Sequence, residues 1–257
     1  ETLLSSRNLA FELYEVLDAE GLTQRERFAE HSRETFDAAI GTARTIAEKF
    51  FAPHNRKGDE NEPRYEDGQA ILIPEVKPAV DAFLEAGFLN AARSFEAGGM
   101  QLPTLLSQAC FAHFQSANAA STSYPFLTMG AANLIESFGT EEQKQRILPA
   151  CASGERLMAY SQSEPAGAAN IGNHLTKIVP DAGANDGYRI DGSKLYCTQG
   201  TAMTWLVMGK TRARDGAEGR PEQGVFAHPM RPDAQRHAGG HQHGEIPVAG
   251  VGRSQQH

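Results

Sequence analysis

The strongest constraint on the fold is a change of pattern at Gly154. Before it, apolar residues recur at steps of three and four. After it, they come in short strand-like runs separated by Gly and Asp turns. A chain with this order is α+β. It has an N-terminal all-α bundle over residues 1–154, then a small antiparallel β-barrel-like domain over 155–226. Residues 227–257 keep neither period and are rich in His, Arg, Gly, Pro and Gln. A disordered or frame-shifted tail is expected there, because such a composition buries too little apolar surface to offset chain entropy.

Within the first region, "TQRERFAEHSRETFDAAIGTARTIAEKFFAPHN" begins with Thr23 and Glu26 in capping-box spacing. Phe36, Ile40, Ala43, Ala47 and Phe50 form one apolar face, and Pro53 ends the helix. The charged stretch from Asn55 to Gly68 reads as a loop. A second helix covers "PEVKPAVDAFLEAGF", with Val76, Val80, Phe83 and Leu84 inward and Gly87 as its stop. Gly98, Gly99 and Pro103 build a turn. A third helix covers "LPTLLSQACFAHFQSAN", and a fourth, apolar nearly all round, covers "YPFLTMGAANLIESFG". Thr140 and Gln143 cap a short helix whose first turn carries two acids, where the helix dipole favours them. The strand-like runs are "ERLMAYSQS", "LTKIVPDA", "GYRIDGSKLYCTQ" and "TWLVMGKT".

The net charge of −8 argues against duplex nucleic acid as a partner, since phosphate binding needs a cationic surface. A ligand with a few phosphates remains compatible, because a handful of N–H groups can hold them. No run of about 18 apolar residues predicts a membrane span, and no signal peptide opens the chain. Cys110, Cys151 and Cys197 are widely spaced and form no C-x-x-C pair, which fits a reducing, cytoplasmic setting. His237, His241 and His243 stand at i, i+4 and i+6 without a carboxylate or cysteine shell, so no metal site is assigned.

The stretch "LMAYSQSEPAGAAN", residues 157–170, starts as a strand and then runs into hydroxyls, a carboxylate, a proline and small residues. Two readings fit it. One is an ordinary strand exit. The other is a platform on which a flat or phosphorylated cofactor lies against backbone N–H groups.

The order of parts resembles the N-terminal and middle domains of the acyl-CoA dehydrogenase family. That family has a G-[ST]-E-E-Q-K helix ending in Leu-Pro, a strand with [ST]-E-P-x-A-G-S-D, and then G-x-K-x-[WFY]-[IC]-[ST]. Gly139 to Lys144, Ile147 to Pro149, Ser163 to Pro165 and Gly192 to Thr198 match in order and spacing. The opening "LAFELYEVLDAEGL" and the "FFAPHN" loop look like the longer bacterial branch.

The resemblance implies FAD as cofactor, an acyl-CoA substrate, an electron-transfer flavoprotein as acceptor, and a homo-oligomer for the intact family protein. Carried over by position, Tyr160, Gln162 and Ser163 border the isoalloxazine, with the Ser163 hydroxyl toward flavin N5. Tyr196 covers the ring, and Thr198 bonds near the ring and ribityl chain. Ala168 takes the place of the family serine that touches flavin and the CoA arm, with one residue missing after Pro165 and Asn170 as a partial polar substitute. Glu164 is a structural carboxylate. The family's catalytic glutamate belongs to a second helical domain that the His-rich tail does not resemble. No catalytic residue is therefore assigned, and a frame shift near Gly224 to Pro229, or a gene fragment, is expected. The implied reaction is oxidation of an acyl-CoA thioester to the 2,3-enoyl-CoA, at low or no activity in this chain. A non-enzymatic remnant or interaction scaffold is the alternative reading, and a related flavin-dependent oxygenase a further one.

Overall fold

The computed structural model describes residues 4–67, 69–155, 157–165, 170, 173–180, 188–197, 204–211, 222–229 and 245–246. The chain divides into two compact units, one of Glu1–Arg64 with Ile71–Phe126 and one of Tyr65–Ala70 with Leu127–His257.

The first unit is helical. Helix α1 (Ser6–Ala10) is capped by the Ser5 side chain, which accepts from the Asn8 N–H. Helix α2 (Arg33–Ile46) starts at Ser32, not near Thr23. Ser32 and Thr35 form a reciprocal capping box: Thr35 N–H donates to Ser32 Oγ at 3.3 Å, and Ser32 N–H donates to Thr35 Oγ1 at 2.9 Å. Thr23 instead lies in a 3₁₀ turn, its hydroxyl donating to the Glu20 carbonyl. Tertiary contacts decide this. The Gln101 amide donates to the Arg27 carbonyl at 2.7 Å, and the His31 ring lies 3.1 Å from the Gln101 carbonyl, which holds the 27–31 segment out of the helix.

The expected apolar face is present, with a shift at its end. Phe36, Ala43 and Ala47 are buried, while Ile40 and Phe50 are only half-buried. Residues 47–51 form a wider π-helical turn, and Phe51 enters the core instead. Pro53 does not end the helical path. It occupies the first turn of a new one, where its missing N–H costs nothing. The stretch expected as a loop from Asn55 contains helix α3 (Asn55–Glu60), supported by an Arg56–Glu60 pair at 2.7 Å. The short strands β1 (Arg64–Glu66) and β2 (Gln69–Ile71) follow and pair with each other.

Helix α4 (Val76–Glu85) buries Ala79, Val80 and Phe83, and Gly87 ends it in the left-handed region at φ 78°. Helix α5 (Thr104–Ala117) follows the Gly98–Gly99 turn. Gly99 is required there, since a Cβ would stand 2.2 Å from the Arg93 carbonyl oxygen. Phe114 centres the core, with ring centroids 4.8 Å from Phe83, 5.2 Å from Phe51 and 5.3 Å from Phe88, all near edge-to-face. Helix α6 (Ala119–Phe138) begins five residues before the expected Tyr124, because Asn118 caps it: the Ser121 N–H donates to Asn118 Oδ1 at 3.0 Å.

The second unit holds the rest of α6, helix α7 (Glu141–Ala152) and a mixed sheet. The Thr140–Gln143 capping box of α7 forms as expected. The strands are β3 (Met158–Ser161), β4 (Lys177–Pro180), β5 (Tyr188–Asp191), β6 (Thr204–Thr211), β7 (Glu222–Pro229) and β8 (Glu245–Ile246). The sheet order is β3-β6-β4-β5-β8, with β7 also on β6. The sheet is not purely antiparallel: β3 and β4 both run parallel to β6. Short turns between runs suggest hairpins, but β3 pairs with a strand distant in sequence. Met158 and Leu206 pack with Ala131, Ala132, Ile135, Ile147, Leu148 and Cys151, and the Met158 N–H donates to Thr128 Oγ1 at 3.0 Å. This cluster anchors the start of β3 and so fixes where its far end emerges.

Candidate functional site

In strand β3 Met158, Ala159 and Ser161 are buried and Tyr160 is half-buried, and the chain then exits at Gln162 into Ser163, Glu164 and Pro165. The Tyr160 hydroxyl donates to Gln162 Oε1 at 3.1 Å, and burial pushes this phenol's pKa up. The Ser161 hydroxyl donates to Cys197 Sγ at 3.1 Å.

Glu164 is the hub of the exit. Its carboxylate accepts from the Leu175 N–H, from the Thr176 N–H at 3.1 Å and from Lys194 Nζ at 2.8 Å. The Glu164 side chain is buried at 2% exposure and that of Lys194 nearly so at 9%. Burial alone raises a carboxyl pKa. Here the Lys194 ammonium and the Thr176 and Leu175 donors outweigh it and bring Glu164 down to about 2. Glu164 is thus a fixed anion at neutral pH and a poor proton acceptor.

Lys194 also donates to the Gln162 carbonyl at 2.9 Å, and the Leu195 N–H donates to the Ser163 carbonyl at 2.9 Å. The segment carrying Tyr196 is therefore tied to the β3 exit by two bonds to successive carbonyls. Gly192 lets this segment approach: a Cβ there would stand 2.3 Å from Thr176 Oγ1 and 2.7 Å from Thr176 Cα. Tyr196 sits at φ 55°, in the left-handed region that a bulky residue rarely adopts, and its side chain is 85% exposed. Leu175 and Leu195 are exposed beside the same exit.

Tyr160, Gln162, Ser163 and Tyr196 are thus placed on two joined segments. Ala168 and Thr198 lie outside the described residues, as do His237, His241 and His243. Among the described residues no cluster of His, Cys, Asp or Glu has the makings of a metal site. The Glu164–Lys194 pair was the feature that motif reading missed. Both residues stand in the matched motifs, but they are 30 positions apart and only the fold shows that they meet. His174 is a second: it is buried, and neither ring nitrogen has a hydrogen-bond partner among the described residues.

The family model of the acyl-CoA dehydrogenase N-terminal domain matches residues 33–155. Over these residues the chain belongs to the acyl-CoA dehydrogenase family. Similar proteins include the broad-specificity linear acyl-CoA dehydrogenase FadE5 of Mycobacterium tuberculosis, 29% identical over 76% of this chain and 31% of the relative. The butyryl-CoA dehydrogenase of Syntrophomonas wolfei is 28% identical over 84% of this chain and 37% of the relative. Among solved structures, butyryl-CoA dehydrogenase from Megasphaera elsdenii superposes with a TM-score of 0.60 at 21% identity, covering 79% of this chain and 50% of that one. That likeness carries the fold of the acyl-CoA dehydrogenase N-terminal and middle domains, helical region first and mixed sheet after. The chain spans about a third of the length of the curated relatives it matches. No described helix of this acyl-CoA dehydrogenase family chain is long and apolar enough to cross a membrane.

Proposed function

We propose that residues 158–197 are the flavin platform of an acyl-CoA dehydrogenase. The whole protein would oxidise an acyl-CoA thioester to the 2,3-enoyl-CoA and pass electrons to an electron-transfer flavoprotein. Residues 1–154 serve as the helical domain and 155–226 as the middle domain. The observation that carries the reading is the clamp that joins the β3 exit to the Tyr196 segment, through Lys194 to the Gln162 carbonyl and Leu195 to the Ser163 carbonyl.

The residues fit a flavin. Tyr160, Leu175, Leu195 and Tyr196 offer apolar and aromatic surface, and the half-buried Ser163 offers a hydroxyl donor beside it. When bound, FAD supplies the acceptor for the hydride leaving the substrate's β-carbon. The chain's own part is to hold and orient: Ser163 would offer its hydroxyl, and the Gln162 and Ser163 carbonyls are fixed by their bonds to Lys194 and Leu195. Ala168 and Thr198 belong to the same proposed site. The α-proton must go to a base, and Glu164 is not suited to that role among the described residues, since its low pKa and three bonded partners make it a poor proton acceptor. Little or no turnover by this chain follows.

The first measurement is bound FAD, by its absorbance at about 450 nm after gel filtration, a general property of flavins. A compact yellow protein is the expected result, and a compact colourless one that stays colourless with added FAD refutes the platform. With an acyl-CoA and a dye acceptor, the dye should keep its colour; rapid bleaching would refute the low-activity part of the reading.

A further inference from the structure

The Lys194 ammonium faces two acceptors at once. Glu164 balances its charge at 2.8 Å, and the Gln162 carbonyl takes a second bond at 2.9 Å. The ion pair uses one of the ammonium's three donors, and the second bond satisfies another, as a charge removed from water requires. The second bond acts on a different group, the peptide linking Gln162 to Ser163. A charged donor on a peptide oxygen draws electron density through the amide and makes its N–H, here that of Ser163, a stronger donor. The same bond fixes the plane of that peptide, as Leu195 fixes the next one through the Ser163 carbonyl.

We infer that Lys194 is a positioning residue of the flavin platform: through the Gln162 carbonyl it orients and polarises the Ser163 peptide that faces the cofactor, a role separate from neutralising Glu164. The inference rests on the flavin reading above. Glu164 supplies the countercharge, and its carboxylate is itself held by the N–H groups of Leu175 and Thr176; an amide oxygen at the same place would still accept from the ammonium, which the Gln162 carbonyl also holds.

Two substitutions break the ion pair but differ at the carbonyl. Lys194→Met removes the bond to Gln162, while Glu164→Gln leaves Lys194 free to keep it. Both should lower the melting temperature. FAD titration by quenching of flavin fluorescence, run well below both transitions, should separate them. Lys194→Met should bind FAD about tenfold more weakly or worse, as expected for loss of a charged hydrogen bond. Glu164→Gln should stay within about threefold of the unsubstituted chain, less than such a bond is worth. Where Lys194→Met does not fold, Lys194→Met/Glu164→Leu takes its place, since two apolar groups replace a buried pair without leaving a lone charge. Equal loss of affinity in the Lys194 and Glu164 variants, or none in either, overturns the inference while the flavin reading stands. An unsubstituted chain that takes up no FAD overturns both.

Discussion

At the residue scale, Glu164 decides the chain's response to acid. Its folded pKa is about 2 against an ordinary 4.5, so its contribution is fully present above pH 4.5 and is lost as pH falls toward 2. The size is about 3 kcal/mol, from roughly 1.4 kcal/mol per pKa unit. Glu164→Gln should therefore lower stability at pH 7 and flatten the acid limb between pH 4.5 and 2, read as denaturant midpoints across pH. An unchanged acid limb would mean that the carboxylate is not held as described. Gly192 is the other decisive position. Gly192→Ala puts a Cβ 2.3 Å from Thr176 Oγ1 and 2.7 Å from Thr176 Cα, and backbone must give way. Destabilisation of about 1–3 kcal/mol is expected, as for other overpacked sites, measured by urea melts.

At the element scale, four described helix starts are set by side-chain caps, at Ser5, Ser32, Asn118 and Thr140. Thr140→Ala removes the acceptor for the Gln143 N–H and should cost about 1 kcal/mol, seen as a lower melting temperature. The cap at Thr140 follows the Thr-x-x-Gln spacing and so was readable in sequence. The box at Ser32 was not, because Thr35 takes the place usually held by Glu or Gln and its hydroxyl closes the box. The helical core depends on Phe114, whose ring meets Phe51, Phe83 and Phe88. Phe114→Ala should cost about 3–5 kcal/mol, far more than the loss of a cap, by the same melts.

At the scale of the whole molecule, FAD binding to the folded chain predicts a melting temperature that rises with ligand concentration, the added stability being about 2.7 kcal/mol at a hundredfold excess over Kd. A melting temperature independent of FAD would count against the platform. Sequence by itself determined the class and order of the main parts: helices before Gly154, the strands of the mixed sheet after it, and the α4, α5 and α7 segments. It did so because amphipathic period, helix stops and the Thr140 cap are local properties of the chain. Tertiary structure alone decided the rest. The parallel pairing of β3 and β4 with β6 joins segments far apart in sequence, which no local period reports. The wider turn at 47–51 moved Phe51 into the core in place of Phe50. The meeting of Glu164 with Lys194 across the Gln162 and Ser163 carbonyls depends on how two strand exits are brought together. Burial then turns that meeting from a weak surface pair into a fixed anchor, because a charge removed from water must keep its partner.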